Sequence, residues 1–189
     1  MRLDAPYITL FDYCVDSLRT ALPDEHSPVW ETSRVRQQSF QVHRDTRSIL
    51  FEWLENSWHP GMPIMVEQHS YAPSDLAESV YGCANKLAHH HGGRIVKLML
   101  AELAPGGRIL GHIDQAPALR EVHRCHVPIV TNPNVIFAID HHPYYLPAGR
   151  AYELDNTRHH AVANNSKERR VHLICDILPE MPKSQAGAA

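Results

Sequence analysis

The segment GRILGHID, residues 107–114, places a histidine and an aspartate two positions apart. On a strand, His112 and Asp114 point to the same face, because successive side chains alternate between the two faces of a sheet. An imidazole and a carboxylate that converge on one point can bind a metal ion. A hydrogen-bonded pair at a strand end would show the same two residues, so a third ligand has to decide between the two interpretations.

The candidate third ligand is His160, in the later segment NTRHHAVANNS. A strand across a barrel would bring this imidazole to the point where His112 and Asp114 converge. Two histidines and one carboxylate on one face of a metal are the ligand set of non-haem iron(II) oxygenases. Three protein ligands leave coordination positions open for a bidentate 2-oxo acid and for dioxygen, and the positive metal centre favours an anionic co-substrate.

Two further segments add cationic side chains with strand-like alternation. In RRVHLICDIL, residues 169–178, apolar side chains alternate with a polar set that begins at Arg170, whereas Arg169 shares the phase of the apolar face. A buried arginine needs an anion, and a co-substrate carboxylate would accept bidentate hydrogen bonds from it. A structural salt bridge and an exposed position on an edge strand are the alternatives. In HRCHVPIV, Arg124 and His126 likewise share one face.

The elements that must position these residues are short strands in the C-terminal half. Apolar or alternating runs are separated by turn sequences rich in proline, glycine and asparagine. Several short strands at this spacing predict a β-sandwich or a small barrel. The runs span residues 94–103, 108–113, 122–130, 134–139, 151–154, 159–163 and 169–178.

The N-terminal half is predicted to mix helices with short strands. Residues 75–91 form the clearest helix, since apolar residues follow helical spacing. Ser74 is a potential N-cap, and Gly92-Gly93 ends the helix. A shorter helix is predicted within residues 12–22, where apolar side chains again share one stripe.

Length and composition predict one compact domain. The chain has 189 residues, of which 43% are hydrophobic and 21% charged, so a core can form without disulfides or a structural metal. We expect a supporting region, a β core and a flexible tail, at residues 1–93, 94–180 and 181–189.

Charge and cysteine usage argue against several function classes. The net charge of −3 and the lack of a long basic run give no case for nucleic acid binding. The N-terminus resembles neither a signal peptide nor a membrane span, so we expect no integral membrane association. The widely spaced cysteines predict buried free thiols in a reducing, cytoplasmic compartment, in preference to disulfides or zinc. They are Cys14, Cys83, Cys125 and Cys175.

Several of these segments together resemble the aspartyl/asparaginyl β-hydroxylase family of iron(II)- and 2-oxoglutarate-dependent oxygenases, over roughly residues 97–180. The resemblance implies a mainly β fold with some α structure: a double-stranded β-helix, or jelly-roll barrel, with iron at its open mouth and supporting N-terminal helices. The segments are LAPGGRILGHID, HRCHVPI, ELDNTRHHAVANNSKERR and RVHLICDILPE.

The resemblance also implies roles for individual residues. His112 would be the proximal iron ligand and His160 the distal one. The animal enzymes of the family lack the metal carboxylate, but this chain has Asp114 at that position, so we expect three protein ligands. The positions that match 2-oxoglutarate contacts are Arg170, as the anchor of the C5 carboxylate, with Arg124 and His126.

The implied reaction uses iron(II), 2-oxoglutarate and O₂ to hydroxylate an amino acid, free or in a peptide, and releases succinate and CO₂. Two alternatives stay open: an oxygenase of the same superfamily that acts on a lipid acyl chain or a secondary metabolite, and a non-catalytic, cupin-like metal-binding barrel. For the substrate we expect contacts from Trp58, in an N-terminal lid, and from His142 and Tyr144 in the loop IDHHPYYLPAGR. A turn packed by its own aromatic side chains is the alternative for that loop.

Overall fold

The computed structural model describes residues 2–33 and 41–180. Its strands form two antiparallel sheets that pack face to face. In chain order the strands are β1 (Tyr7–Asp12), β2 (Thr46–Leu54), β3 (Val66–Gln68), β4 (Gly93–Leu103), β5 (Arg108–His112), β6 (His123–Val130), β7 (Val135–Ile139), β8 (His142–Tyr144), β9 (Arg150–Leu154), β10 (His160–Asn164) and β11 (Arg170–Pro179).

The larger sheet has seven strands in the order β1-β9-β6-β11-β4-β2-β3, and the smaller has four in the order β5-β10-β7-β8. Alternation of sheets along the C-terminal half gives the double-stranded β-helix, so the expected fold class is confirmed. All seven predicted C-terminal runs are strands, with ends shifted by a residue or two. The short strand β8 was not expected, because its three residues lie in a segment dominated by turn residues and aromatics.

The helices of the described residues are α1 (Asp16–Ala21), α2 (Ser74–His91) and α3 (Pro117–Arg120), with short 3₁₀ turns at Pro28–Glu31 and Gln41–His43. The predicted end of α2 is confirmed, since Gly92 adopts the left-handed conformation with φ of 59°. The predicted Ser74 cap is wrong: Pro73 occupies the N-cap position, and the cap makes no side-chain hydrogen bond. No helix among the described residues is long and apolar enough to cross a bilayer.

The N-terminal part contributes strands as well as helices to the fold. β1 pairs with β9, and β2 pairs with β4 over most of its length. The strands β2 and β3 extend the larger sheet at one edge, and β1 extends it at the other. The larger sheet thus contains strands from both sides of residue 93. The division of the chain at that residue into a supporting region and a core therefore stays a prediction. The predicted tail at 181–189 lies outside the described residues.

The main core lies between the helices and the outer face of the larger sheet. Buried leucine and valine side chains of α2 pack against the apolar face of β11, as its alternation predicts. The residues of that face are Val171, Leu173, Cys175 and Ile177. Because side chains alternate along a strand, the polar set of β11 faces the other way, toward the smaller sheet. The interior between the two sheets is therefore partly polar.

Candidate active site

Strand pairing brings two of the predicted metal ligands together. His112 at the end of β5 is the direct partner of His160 at the start of β10, and their ring centroids are 4.3 Å apart. Asp114 lies two residues beyond the end of β5, with Oδ1 3.8 Å from Nε2 of His112. One donor atom from each of the three residues lies within 4.8 Å of the others. A single ion at this point can reach all three side chains.

Backbone carbonyl groups fix which ring nitrogen of each histidine faces this point. Nδ1 of His112 lies 2.7 Å from the oxygen of Leu110, and Nδ1 of His160 lies 2.9 Å from the oxygen of Arg158. A carbonyl oxygen only accepts hydrogen bonds, so both Nδ1 atoms carry the hydrogen. The Nε2 lone pair of each ring is then available to a metal, as is usual for ligating histidines.

Arg124 holds Asp114, the third candidate ligand, in place. Its Nη1 donates to Oδ2 of Asp114 at 2.7 Å, while Nε and Nη2 donate to the two oxygens of Asp176 at 2.9 and 2.7 Å. Burial disfavours the ionised form of Asp114, but Arg124 and the neighbouring histidines together outweigh burial and lower the pKa of this carboxyl below its ordinary value. Asp114 is therefore an ionised carboxylate with Oδ2 engaged, which leaves Oδ1 for a metal ion.

A cavity between the two sheets joins this point to the predicted co-substrate anchor. We call it the inner cavity, and its lining includes the two candidate histidine ligands, Arg124, His126, Phe137 and Arg170. Arg170 is 1% exposed, and its guanidinium carbon lies 5.1 Å from the ring centroid of Phe137. A molecule in the inner cavity can therefore contact the ligand histidines and Arg170 at the same time.

Residues 169 and 170 lie on opposite faces, as the alternation predicts. Arg169 points away from the inner cavity, where Nη1 donates to Oε2 of Glu102 at 3.2 Å. Its guanidinium carbon also lies 5.7 Å from the ring of Trp30. His172 lies on the same inner face as Arg170. Burial lowers the pKa of His172 well below its ordinary value, so this imidazole is neutral.

A second, wider cavity of about 440 Å³ lies on the other side of the candidate ligands. We call it the outer cavity; its lining includes His112, Asp114, Trp53, Asn56 and Lys97. A ligand there lies next to the same metal-binding point as one in the inner cavity. The two cavities thus provide separate places for two molecules beside a single ion.

A known protein family matches the part of the chain that contains the candidate ligands. The family model described as aspartyl/asparaginyl β-hydroxylase matches residues 83–179, which include every candidate ligand. The chain belongs to the aspartyl/asparaginyl β-hydroxylase family. It is a non-haem iron(II)- and 2-oxoglutarate-dependent oxygenase, and the expected cofactors iron(II), 2-oxoglutarate and O₂ are confirmed. Two imidazoles and one carboxylate within reach of one point fit iron(II).

Solved structures support the same fold for this β-hydroxylase family member. An oxidoreductase of the 2OG-Fe(II) oxygenase family from Burkholderia pseudomallei is 11% identical, with a TM-score of 0.57 over 93% of this chain and 85% of that chain. A prolyl-4-hydroxylase from Pseudomonas putida is 12% identical, with a TM-score of 0.52 over 94% and 95%. No curated protein matched the sequence.

The residues predicted to contact substrate lie elsewhere on the oxygenase. Trp58 is 6% exposed, and its indole N–H donates to the oxygen of Met62 at 3.2 Å. His142 is exposed on β8, and Tyr144 packs edge-on against Tyr7 at 5.3 Å. Within the described part of the chain, none of the three predicted side chains lines the inner or the outer cavity. Their role in substrate binding stays a prediction.

Lys97 is the main residue that the sequence interpretation missed in this oxygenase. It is 2% exposed, its ammonium donates to Oδ1 of Asn56, and it lies 4.3 Å from the ring centroid of Trp53. Burial lowers the pKa of Lys97 to about 8. The available signal was a single lysine in the otherwise apolar run IVKLML of β4, since a charge in such a run is rarely buried without a function.

Proposed function

We propose that this oxygenase is a hydroxylase that holds iron(II) through His112, Asp114 and His160 and binds 2-oxoglutarate in the inner cavity. The single observation that supports this most is the common point reached by the three donor groups at one end of a cavity that also contains Arg170. The products of the proposed reaction are a hydroxylated amino acid or peptide, succinate and CO₂.

Bound iron(II) supplies the activation of O₂ that C–H hydroxylation requires. The protein's own residues bind and orient the reactants. Arg170 binds the distal carboxylate of 2-oxoglutarate through paired hydrogen bonds. Arg124 keeps Asp114 ionised and directs one oxygen to the metal point. The apolar side chains of Phe137 and Ile139 in the inner cavity exclude water from that point.

The outer cavity supports an amino acid or peptide as the substrate. Lys97 presents a buried ammonium beside Asn56, which is suited to a carboxylate of the substrate. The ring of Trp53 covers the ammonium and limits its access to water. A lipid acyl chain gains nothing from a buried charge, whereas an aspartyl side chain or an α-carboxylate does.

The function is tested by anaerobic loading with iron(II) and 2-oxoglutarate, followed by O₂ and a screen of amino acids and peptides. We expect a product that has gained one oxygen atom, formed in step with succinate. A product without a carboxylate would instead support an oxygenase that acts on a lipid acyl chain or a secondary metabolite. Binding of a metal without any effect of 2-oxoglutarate on thermal stability would support the non-catalytic barrel.

Replacement of Lys97 by methionine removes the proposed substrate counter-charge while keeping side-chain length. We expect Lys97→Met to raise KM for a carboxylate substrate by about tenfold or more, with KM for 2-oxoglutarate unchanged. Lys86→Met is a matched control, because Lys86 is exposed on α2 and contacts Phe11 and Tyr13 away from both cavities. Equal effects of the two substitutions on KM in steady-state kinetics would show that Lys97 does not bind the substrate.

The pKa of Lys97 gives a second, independent expectation. With a pKa of about 8, the side chain is charged below this pH and neutral above it. Therefore kcat/KM for a carboxylate substrate should be constant below about pH 8 and fall by about tenfold per unit above it. Lys97→Arg, which stays charged, should move the fall to higher pH. An unchanged profile in that variant would assign the fall to another group.

A further inference from the structure

A second group of metal-binding side chains lies on the outer face of the larger sheet, away from the oxygenase site. His91 ends α2, His123 begins β6 and Glu153 lies in β9. One donor atom from each residue lies within 4.8 Å of the others. Glu153 pairs across the strands with Cys125, whose side chain belongs to the core beneath α2. This places the group on the helix side of the sheet, whereas the iron ligands lie on the other side.

The donor atoms of this group are close enough to share one ion after a local rearrangement. Nδ1 of His123 lies 2.7 Å from Oε1 of Glu153, and Nε2 of His91 lies 3.9 Å from Oε2. Nitrogen and oxygen ligands about 2 Å from a tetrahedral zinc ion are about 3.3 Å apart. The two observed distances lie on either side of this value, so admission of an ion requires shifts of roughly half an ångström and a turn of the stacked rings of His91 and His123.

The charge of the group also favours a cation. Glu153 is 2% exposed, and a buried carboxylate needs compensation. The rings of His91 and His123 stack at 4.1 Å with an angle of 18°, so the two imidazoles lie side by side next to this carboxylate. Burial lowers the pKa of His91 to about 4, so this ring is neutral. Without a metal, the group would consist of a hydrogen-bonded His123–Glu153 pair and a contact of 3.4 Å between Nε2 of His91 and Sγ of Cys125.

We propose that His91, His123 and Glu153 bind a structural zinc ion that fastens the end of α2 to strands β6 and β9. Two imidazoles and a carboxylate are zinc ligands. The two imidazole nitrogens favour zinc over magnesium or calcium, which prefer oxygen ligands.

The test requires a protein whose oxygenase site binds no metal. The background is the double variant His112→Ala, His160→Ala, stripped with a chelator and titrated with Zn(II) against a chromophoric competitor. We expect this background to bind one zinc ion per chain and to gain thermal stability from it. Adding His91→Asn should weaken zinc at least about 100-fold, since even residues that only orient ligands contribute about 10- to 100-fold.

His90→Asn is the matched control, because His90 is the exposed neighbour of His91 at the same helix end. Absence of zinc binding by the background, or equal binding by the His91→Asn and His90→Asn variants, would overturn the proposal. If His91→Asn does not fold, anomalous diffraction at the zinc edge from the unaltered protein decides: a peak between His91, His123 and Glu153 supports the site, and its absence refutes it. Succinate formation is measured separately, so failure of this site leaves the proposed function unaffected.

Discussion

His160→Ala is expected to lose iron(II) binding and succinate formation together. Removal of this imidazole leaves two protein donors at the metal point, and one of them, Asp114, is already shared with Arg124. Residues that only orient metal ligands contribute about 10- to 100-fold, so we expect a loss of turnover beyond about 100-fold. The measurements are metal affinity under anaerobic conditions and succinate formed per iron.

His159→Ala is the matched control for this loss. His159 is the adjacent histidine, it is exposed, and its ring stacks on His141 at 5.5 Å instead of facing the metal point. We expect this variant to keep iron and turnover. Full turnover in His160→Ala, or equal losses in both variants, would place the metal elsewhere.

Arg170→Ala is expected to have the second-largest effect, confined to 2-oxoglutarate. Loss of a charge-assisted pair in a buried site costs about 2–5 kcal/mol, or about 30- to 5,000-fold in affinity. We expect KM for 2-oxoglutarate to rise within this range, while affinity for Mn(II) alone stays near that of the unaltered protein. Arg170→Lys keeps the charge but not the paired donors, so its effect should be intermediate.

Arg169→Ala provides the comparison, since Arg169 lies next in sequence but on the opposite face. Its loss removes one partner of Glu102, yet Nε of Arg47 still donates to that carboxylate at 3.1 Å. We expect a moderate loss of stability and little change in KM for 2-oxoglutarate. Similar KM values for Arg169→Ala and Arg170→Ala would show that the co-substrate carboxylate binds elsewhere.

The C-terminal fold was predictable because alternation is a local property of the chain. The apolar face of β11 and the opposed phases of Arg169 and Arg170 both follow from side-chain alternation alone. The prediction that His112 and Asp114 share one face required only that their segment be a strand up to these two residues. In the structure β5 already ends at His112, and Asp114 lies beyond it.

The features of the site that the sequence did not predict depend on contacts between distant segments. Contact between Arg124 and the co-substrate stays a prediction, since Arg124 lines the inner cavity, but its hydrogen bonds to Asp114 and Asp176 were not predicted. That arrangement depends on the register of β6 against β11, which pairs Arg124 with Asp176. Lys97 was missed for a similar reason, because its partner Asn56 comes from a separate turn after β2. Register and turn position are tertiary properties that one sequence does not specify.

The link from Asp114 through Arg124 to Asp176 has a mechanical consequence. Both candidate imidazole ligands belong to the four-stranded sheet, whereas Asp176 lies in the middle of the central strand of the seven-stranded sheet. Although Asp114 lies in a connecting segment, this candidate ligand is thereby linked through Arg124 to the central strand of the larger sheet. A bound ion would therefore connect the two sheets. Separation of the sheets at this end of the barrel would move the candidate ligands apart, so a bound metal would oppose that separation.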